Sequence, residues 1–349
     1  MIKFIEINFV PLMKSAFHEE TLYIETRLSW HDGRGHEKAN GSILRRFLRL
    51  CSDVNRAFAI PDSSGVVAVI VRARGPENSI SFNSLYLFKK FLGYFLHRLA
   101  YYLAKKHQCN LAVVDRLDEA TIHPNDHWIL KHCDVYFKRE LPRSIWSALE
   151  MIKPRRICIG TASGIPSLSV LAKKLLPLSL GIEDGLAAEI NSPQPTKIYD
   201  VFYVGRAYDL ERRLMIEQEL KFLSNEGLRI FEPKIPLTRQ GFLDAIRAST
   251  IAISPGGVGW DCFRHYEIPA CATAMLIEQP SHQTYCPPQD GIEAIHYDPD
   301  LPIAPIVREW LSKPEELAKI AVAGNMWAIS NHKYSSLAKH IATILSSDV

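Results

Sequence analysis

The chain lacks a hydrophobic run long enough to cross a bilayer. None of its apolar stretches approaches the roughly 18–20 uninterrupted residues that a spanning helix requires. The first residues, MIKFIEINFVPLMK, also lack the basic start, the long apolar stretch and the small-residue cleavage site of a signal peptide. We therefore expect a cytoplasmic protein, with any membrane contact peripheral and on the inner face.

Cysteine is sparse and irregularly placed. The seven cysteines are odd in number, and none stands in a Cys-x-x-Cys pair. This pattern argues against a disulfide framework and against structural zinc. Internal repeats and low-complexity tracts are absent too, and the ordinary globular composition excludes a fibre, a disordered tail or a miniprotein. With 349 residues, of which 47% are hydrophobic and 23% charged, the chain is expected to form two globular domains.

Positive charge is concentrated in the first part of the chain. Residues 1–198 carry 27 Lys and Arg against 19 Asp and Glu, a net charge of +8, whereas residues 199–349 carry 14 against 19, a net charge of −5. A basic domain joined to an acidic one indicates an anionic partner, such as a phosphorylated lipid, an acidic glycan or nucleic acid. The alternative, that helix faces scatter this charge without any partner, stays open.

The second half alternates short β-branched runs with longer helical patterns. Strands are predicted at 199–204, 228–231, 250–254, 274–277 and 292–297. Helices are predicted at 210–225, 238–248, 304–312, 314–329 and 334–345, with Gly227 and Thr238 as caps. This alternation predicts a Rossmann-like domain with a parallel sheet, whose ligand lies at the carboxyl ends of the strands.

The first half shows a weaker α/β pattern. Continuous apolar runs at 66–71 and 111–114 predict buried parallel strands, with further strands at 132–138 and 156–160. Residues 85–106 between them are predicted as a core helix with basic ends, the alternative being an interfacial membrane helix. A Pro-, Ser- and Gly-containing stretch then predicts a linker. We expect one lobe over 1–177, the linker over 178–198 and a second lobe over 199–349, whose last helix returns to the first lobe.

The strongest local signal is the sequence SPGGVGWDCFRHYE at residues 254–267, between a predicted strand and a predicted helix. Glycines let the backbone approach a ligand, and free N–H groups at a helix start favour phosphate oxygens. Arg264 adds a donor fork, and Glu267 is suited to accept hydrogen bonds from ribose hydroxyls. A purely structural turn is the alternative for the glycines.

A second anion-binding candidate follows the first strand of this half. Gly205 and Arg206 come directly after that strand, and Arg212 follows about a turn and a half later. These residues are predicted to clasp a diphosphate without metal. The neighbouring Arg213 is instead expected on the solvated face of its helix.

Four stretches of the second half resemble the carboxyl-terminal lobe of GT-B glycosyltransferases. They are DVFYVGRAYDLERR, SPGGVGWDCFRHYE, DGIEAIHYDPD and the helical stretch around residues 331–334. The closest similarity is to the spore-maturation-type family, with a fainter similarity to exostosin-like enzymes, and it covers roughly residues 198–346. In the first half only CDVYFKREL, residues 133–141, resembles that family.

The resemblance implies an α/β fold of the GT-B type, two Rossmann-like lobes with parallel sheets facing a central cleft. It implies a glycosyltransferase of polysaccharide biosynthesis that moves a sugar from a nucleotide-diphosphate donor to a glycan, lipid-linked or other surface-polymer acceptor. The second lobe would bind the nucleotide sugar, and the first lobe an anionic or glycan acceptor. No cofactor and no divalent metal is implied; the Asp-x-Asp spelling at 298–300 is expected to be a loop.

The resemblance also assigns the donor site. It places Glu267 at the ribose, Gly205 against the diphosphate, and Arg206 and Arg212 at the leaving group. With the glycine-rich turn, the predicted donor-binding residues are Gly205, Arg206, Arg212, Gly256, Gly257, Asp261, Arg264 and Glu267. The chain departs from the family at three positions. Gly259 takes the slot of a first glutamate, with Asp261 the nearest carboxylate; Pro269 predicts a late or kinked helix; and Ala272 replaces a glycine.

The catalytic base is predicted from position alone. Asp115 and Asp118 follow the strand at 111–114 and would lie at its carboxyl end, the alternative being a turn or a helix cap. The other candidates in loops are His18, His31, Asp32, His36 and His123. Two further functions stay open: a DNA-base glycosyltransferase that uses the basic lobe, and a non-catalytic nucleotide-sugar-binding or assembly subunit.

Overall fold

The structure is a computed structural model that describes most of the chain. The described residues are 3–8, 12–25, 43–59, 66–71, 84–152, 166–186, 195–205, 210–233, 235–257 and 259–346. The chain divides into two compact units, Met1–Leu178 together with Ala338–Val349, and Ser179–Leu337. Both units combine helices with a parallel sheet, so the predicted α/β class is confirmed.

The first unit is built on a parallel sheet. Its described strands are β1 (Phe4–Asn8), β2 (Thr21–Glu25), β3 (Val67–Val71), β4 (Asn110–Asp115), β5 (Val135–Lys138) and β6 (Leu175–Pro177). Its described α-helices are α1 (Met13–Ala16), α2 (Ile43–Phe58), α3 (Ser84–Lys106), α4 (His127–His132) and α5 (Pro166–Ala172), with 3₁₀ turns at Pro124–Asp126 and Ile145–Ile152. The described strands pair in the order β2-β1-β3-β4-β5-β6.

The apolar runs of this unit form its central strands. β3 and β4 each have a neighbour on both sides, and Leu111–Val114 is fully buried. Strands covered on both faces carry continuous rather than alternating apolar residues, which is why the sequence revealed them. The strand predicted at 132–138 begins only at Val135, because α4 occupies the residues up to His132. The strand predicted at 156–160 lies outside the described residues.

The second unit repeats this architecture. Its described strands are β7 (Tyr199–Phe202), β8 (Ile230–Phe231), β9 (Ser249–Ser254), β10 (Ala274–Glu278) and β11 (Ile295–Tyr297), paired in parallel in the order β11-β10-β9-β7-β8. Its described helices are α6 (Leu210–Asn225), α7 (Arg239–Arg247), α8 (Arg264–Ala270), α9 (Ala304–Leu311) and α10 (Pro314–His332). Helix α11 (Tyr334–Ser346) follows, and its residues from Ala338 onward belong to the first unit.

Helix ends in this unit follow local chemistry. Thr238 caps α7 by accepting a hydrogen bond from the Gly241 N–H at 3.1 Å, as predicted. Gly227 closes α6 with φ of 96°, a conformation open to glycine. Ala272 follows α8 with φ of 50°, which costs a residue with a Cβ about 1–2 kcal/mol. Glycine would adopt this conformation without that cost.

Part of the segment predicted as a linker lies inside the second unit. Leu180 and Ile182 are buried in its core, and the Ile182 N–H donates to the His332 carbonyl at 2.8 Å. Gly181 allows this close approach, since a Cβ there would lie 2.5 Å from the same carbonyl oxygen. The apolar residues of the stretch therefore anchor the beginning of the unit.

No helix in the described part of the chain is both long enough and apolar enough to cross a membrane.

Candidate functional site

The strand order of the second unit creates a ligand-binding position. From β7 the chain continues to β8 on one side of the sheet, and from β9 it continues to β10 and β11 on the other. Open α/β sheets bind ligands outside the carboxyl ends of the strands where the order reverses in this way. Here β7 leads into Tyr203–Gly205 and β9 into Pro255–Gly257. We call the space bordered by these two segments the switch-point crevice.

Two arginines border the switch-point crevice. Arg264 Nη1 donates to the Val204 carbonyl at 2.6 Å and so holds its guanidinium against the end of β7. Arg212 Nη1 donates to both carboxylate oxygens of Glu278 at 2.9 and 2.7 Å, and Glu278 also accepts from the Gly256 N–H at 3.0 Å. A carboxylate at the end of β10 thus orients an arginine and the glycine-rich turn together.

A third arginine corrects the sequence-based expectation. Arg213, expected on the solvated helix face, is only 6% exposed. It is buried because α6 turns it towards Gly205, where an added Cβ would lie 3.2 Å from Arg213 Cζ and 3.2 Å from Arg264 Nη1. At Gly256 an added Cβ would lie 3.3 Å from Arg212 Nη1. The guanidinium groups of Arg213 and Arg264 therefore lie against Gly205, and that of Arg212 lies against Gly256. A side chain at either glycine would contact these groups closely.

Two tyrosine hydroxyls beside these arginines were missed by sequence reasoning. Tyr203 Oη lies 3.0 Å from the position of a Cβ on Gly205. Within the described part of the chain, the buried hydroxyls of Tyr203 and Tyr297 have no hydrogen-bond partner. Burial raises the pKa of both tyrosines, against the opposing charge of nearby arginines. An unsatisfied buried hydroxyl costs about 1–3 kcal/mol.

The two predicted carboxylates of this segment are already engaged by the protein. Glu267 is buried in the first turn of α8 and accepts from Arg239 Nη2 at 2.5 Å. Asp261 is buried too, and accepts from the Leu180 N–H at 2.9 Å and from Tyr266 Oη at 2.6 Å. Asp261 therefore ties the beginning of the unit to α8. The roles predicted for both carboxylates at the donor stay predictions.

Of the two remaining predicted donor residues, only Gly257 lies within the described part of the chain. The Gly257 N–H donates to the Gly259 carbonyl at 2.7 Å and closes the glycine-rich turn. Arg206 lies outside the described residues. In the part of the chain that the structure describes, no group of three or more His, Cys, Asp or Glu side chains is placed to hold a metal ion.

A thiol–imidazole pair lies under the glycine-rich turn. His265 Nε2 donates to the Trp260 carbonyl at 2.7 Å, while Nδ1 lies 2.7 Å from Ser254 Oγ and 3.5 Å from Cys262 Sγ. Burial by itself opposes a thiolate, but the attraction of His265 and its hydrogen bond lower the pKa of Cys262 to about 6. Sequence reasoning missed this pair; the Cys-x-x-His spacing just before and within the first turn of α8 is the signal that could have found it.

Iodoacetamide is expected to alkylate Cys262 at a rate that is half-maximal near pH 6. The thiolate is the nucleophile, and its fraction rises as the pH passes the thiol pKa. Burial raises the pKa of Cys133 and Cys271 to about 12, so these two should stay unmodified at neutral pH. Peptide mass spectrometry over a pH series measures the rates. If the rate is instead half-maximal at about pH 8.5, the ordinary pKa of a cysteine thiol, His265 does not stabilise the thiolate.

The predicted catalytic bases are both in ion pairs of the first unit. Asp115 ends β4 opposite Lys138 of β5, and its fully buried carboxylate accepts from Lys138 Nζ at 3.1 Å and from Tyr136 Oη at 2.8 Å. Asp118 is partly exposed and accepts from Arg139 Nη1 at 2.5 Å. Only Asp118 is accessible to solvent as it stands. The role of either residue as a base stays a prediction.

Comparison with known proteins identifies the fold. No protein-family model matches the chain, and no curated protein matches its sequence. A glycosyltransferase from Rickettsia africae matches with a TM-score of 0.56 and 11% identity, over 99% of this chain and 90% of that one. Anabaena HepE, solved in complex with UDP and glucose, matches with a TM-score of 0.54 and 9% identity, over 99% and 100% of the two chains. The apo structure of OtsA gives a TM-score of 0.57 and 8% identity over the same shares.

At such low identities the similarity shows the fold alone. These structural neighbours are GT-B glycosyltransferases, and the chain has their fold, so the predicted fold class is confirmed.

Proposed function

We propose that this chain is a glycosyltransferase that uses a nucleoside-diphosphate sugar, of the spore-maturation type within the GT-B fold. The proposal rests on the convergence of Arg212, Arg213 and Arg264 on the open backbone of Gly205 and Gly256. Three guanidinium groups and the Glu278 carboxylate that pairs with Arg212 leave a net positive charge at the carboxyl ends of two parallel strands, which suits the two phosphates of such a donor. The same fold in HepE, solved with UDP and glucose, supports this donor class.

The proposed reaction assigns each group a role. Arg212 and Arg264 hold the diphosphate, the Tyr203 hydroxyl adds a hydrogen bond, and Glu267 faces the ribose. An acceptor hydroxyl attacks the anomeric carbon while the bond from that carbon to the diphosphate oxygen breaks. The nucleoside diphosphate leaves with the bonding electrons, and the guanidinium groups stabilise its added charge. Asp118 is the proposed base that takes the proton of the acceptor.

UDP is expected to stabilise the second unit without added metal, because the three arginines outweigh the single Glu278 carboxylate and supply a net positive charge. At about 100 times its dissociation constant it should add about 2.7 kcal/mol to the free energy of unfolding. Thermal melts with UDP, with and without EDTA, measure the effect, and uridine serves as the control without phosphate. A shift that EDTA abolishes would contradict metal independence. If UDP, GDP, ADP and TDP all fail to shift the melt, the proposed function is wrong.

The acceptor is proposed to be an anionic glycan or lipid-linked sugar, bound by the basic first half of the chain. Its Michaelis constant should rise with salt, since exposed charges act over a screening length of about 8 Å at physiological ionic strength. The constant for the donor should stay nearly flat, because its diphosphate lies against partly buried groups. Steady-state kinetics over a salt series tests this difference, and an acceptor constant that ignores salt would indicate a neutral acceptor.

A further inference from the structure

Helix α3 presents aromatic side chains to solvent on one face. Phe91, Phe95 and Tyr102 are 54%, 48% and 57% exposed. They are spaced four and seven residues apart, so with about 3.6 residues per turn they share one face of the helix. The opposite face, with Leu92 and Leu96, already packs in the core. The outward aromatic residues are therefore additional to the packing of the fold.

The same helix is strongly basic. Its 23 residues contain no Asp or Glu, and the exposed Lys105 and Lys106 lie at its end, on or next to the aromatic face. Arg98 also lies on this face, where it is held by the Asn125 carbonyl and by Asp126 at 3.5 Å. An exposed face that is aromatic and basic together differs from an ordinary solvated helix face, which mixes charges of both signs.

Helix α2 extends this surface. It packs beside α3, with the ring of Phe47 5.9 Å from the ring of Phe95. Its exposed residues include Arg45, Leu48 and Arg49, and its one acidic residue is Asp53. The outward side chains of the two helices form what we call the basic-aromatic face: Arg45, Leu48, Arg49, Phe91, Phe95, Tyr102, Lys105 and Lys106.

We propose that the basic-aromatic face docks the protein on the surface of an anionic lipid bilayer. Phenylalanine, leucine and tyrosine side chains gain burial at the boundary between headgroups and acyl chains, and lysine and arginine are attracted to anionic lipids. This surface provides both kinds of group side by side. The four basic residues of this surface also account for part of the net charge of +8 in residues 1–198. The inference stands independently of the proposed sugar transfer.

Nucleic acid fits this face less well. In a duplex the bases are already stacked, and the protein contacts are largely hydrogen bonds to phosphates, sugars and base edges, which Phe91, Phe95 and Leu48 are unable to make. A duplex offers no apolar layer into which three large hydrophobic side chains could insert. A bilayer offers that layer together with the negative charge.

Flotation of the full chain with lipid vesicles tests the proposal. The protein should float with vesicles that contain phosphatidylglycerol, remain unbound with phosphatidylcholine alone, and dissociate as salt is raised. Lys105→Gln with Lys106→Gln should weaken binding about 30-fold, at about one kcal/mol for each charge near the surface. The matched control is Lys221→Gln with Lys319→Gln, which removes two exposed lysines from the second unit and should leave binding unchanged.

The apolar contribution needs its own variants. Phe91→Ser with Phe95→Ser should weaken binding at least about tenfold for each side chain even at low salt. Val322→Ser with Met326→Ser removes two similarly exposed apolar side chains from α10 and serves as the control. All four double variants should keep the thermal stability of the parent protein, because the side chains are exposed.

Three results would overturn the proposal: no flotation with anionic vesicles, equal losses in test and control variants, or tighter binding to single-stranded oligonucleotides than to vesicles. The last result would assign the face to nucleic acid. Retention of the UDP-induced thermal shift in the variants separates a failure of docking from a failure of the proposed function.

Discussion

Replacing Lys138 with methionine is expected to destabilise the first unit by about 3–5 kcal/mol. The Lys138 ammonium is fully buried and donates to Asp115 at 3.1 Å and to the Glu119 carbonyl at 2.5 Å. Methionine fills a similar volume but leaves the Asp115 carboxylate buried without its counter-charge. Hydrogen exchange of peptides that cover β4 and β5, measured over a urea series, localises the loss to this unit.

A second variant separates the lost charge from lost packing. In Lys138→Met with Asp115→Asn the buried charge disappears from both partners, while the asparagine side chain still accepts from Tyr136 Oη. This pair should recover most of the stability, because removing both members of a buried ion pair is far cheaper than removing one. A loss below about 1 kcal/mol in Lys138→Met alone would show that this ion pair contributes little to the stability of the first unit.

Replacing Arg264 with methionine is expected to weaken UDP binding by about 3 kcal/mol, or about 150-fold. Arg264 Nη1 donates to the Val204 carbonyl at 2.6 Å and lies 3.2 Å from the position of a Cβ on Gly205, while Nη2 lies 3.5 Å from the Pro255 carbonyl. The guanidinium is therefore already ordered beside Gly205 before UDP binds. Arg264→Lys should recover only part of the affinity, since an ammonium lacks the planar fork that matches a phosphate. Isothermal titration calorimetry measures all three proteins.

The matched control for this prediction is Arg229→Met. Arg229 is exposed and pairs with Asp200 at 2.6 Å, at the amino ends of β7 and β8 and hence at the opposite edge of the sheet. Arg229→Met removes one positive charge, as Arg264→Met does, and should leave the affinity for UDP unchanged. Equal losses in the two variants would point to a general charge effect. Unchanged affinity in Arg264→Met would place the diphosphate away from the switch-point crevice.

The sequence by itself determined the strands and helices of the second unit, β3, β4 and α3 of the first unit, and one half of the candidate site. The apolar runs of β3 and β4, the helical spacing of α3 and α6 and the caps at Thr238 and Gly227 all depend on neighbours within a few residues. Such short-range patterns are legible without knowledge of the fold. The glycine-rich turn and Arg264 were recognised for the same reason, because a strand, glycines and a helix follow one another directly in the chain.

The tertiary structure alone decided which distant side chains meet. Arg212 pairs with Glu278 across 66 residues, Arg239 with Glu267 across 28, and Lys138 with Asp115 across 23. Each pairing depends on which strands and helices become neighbours, and no local pattern specifies that order. Arg213 is the clearest case: its helix would allow it to face either solvent or the sheet. Packing of α6 beside the end of β7 buries Arg213. The same packing brings a third guanidinium group to the crevice.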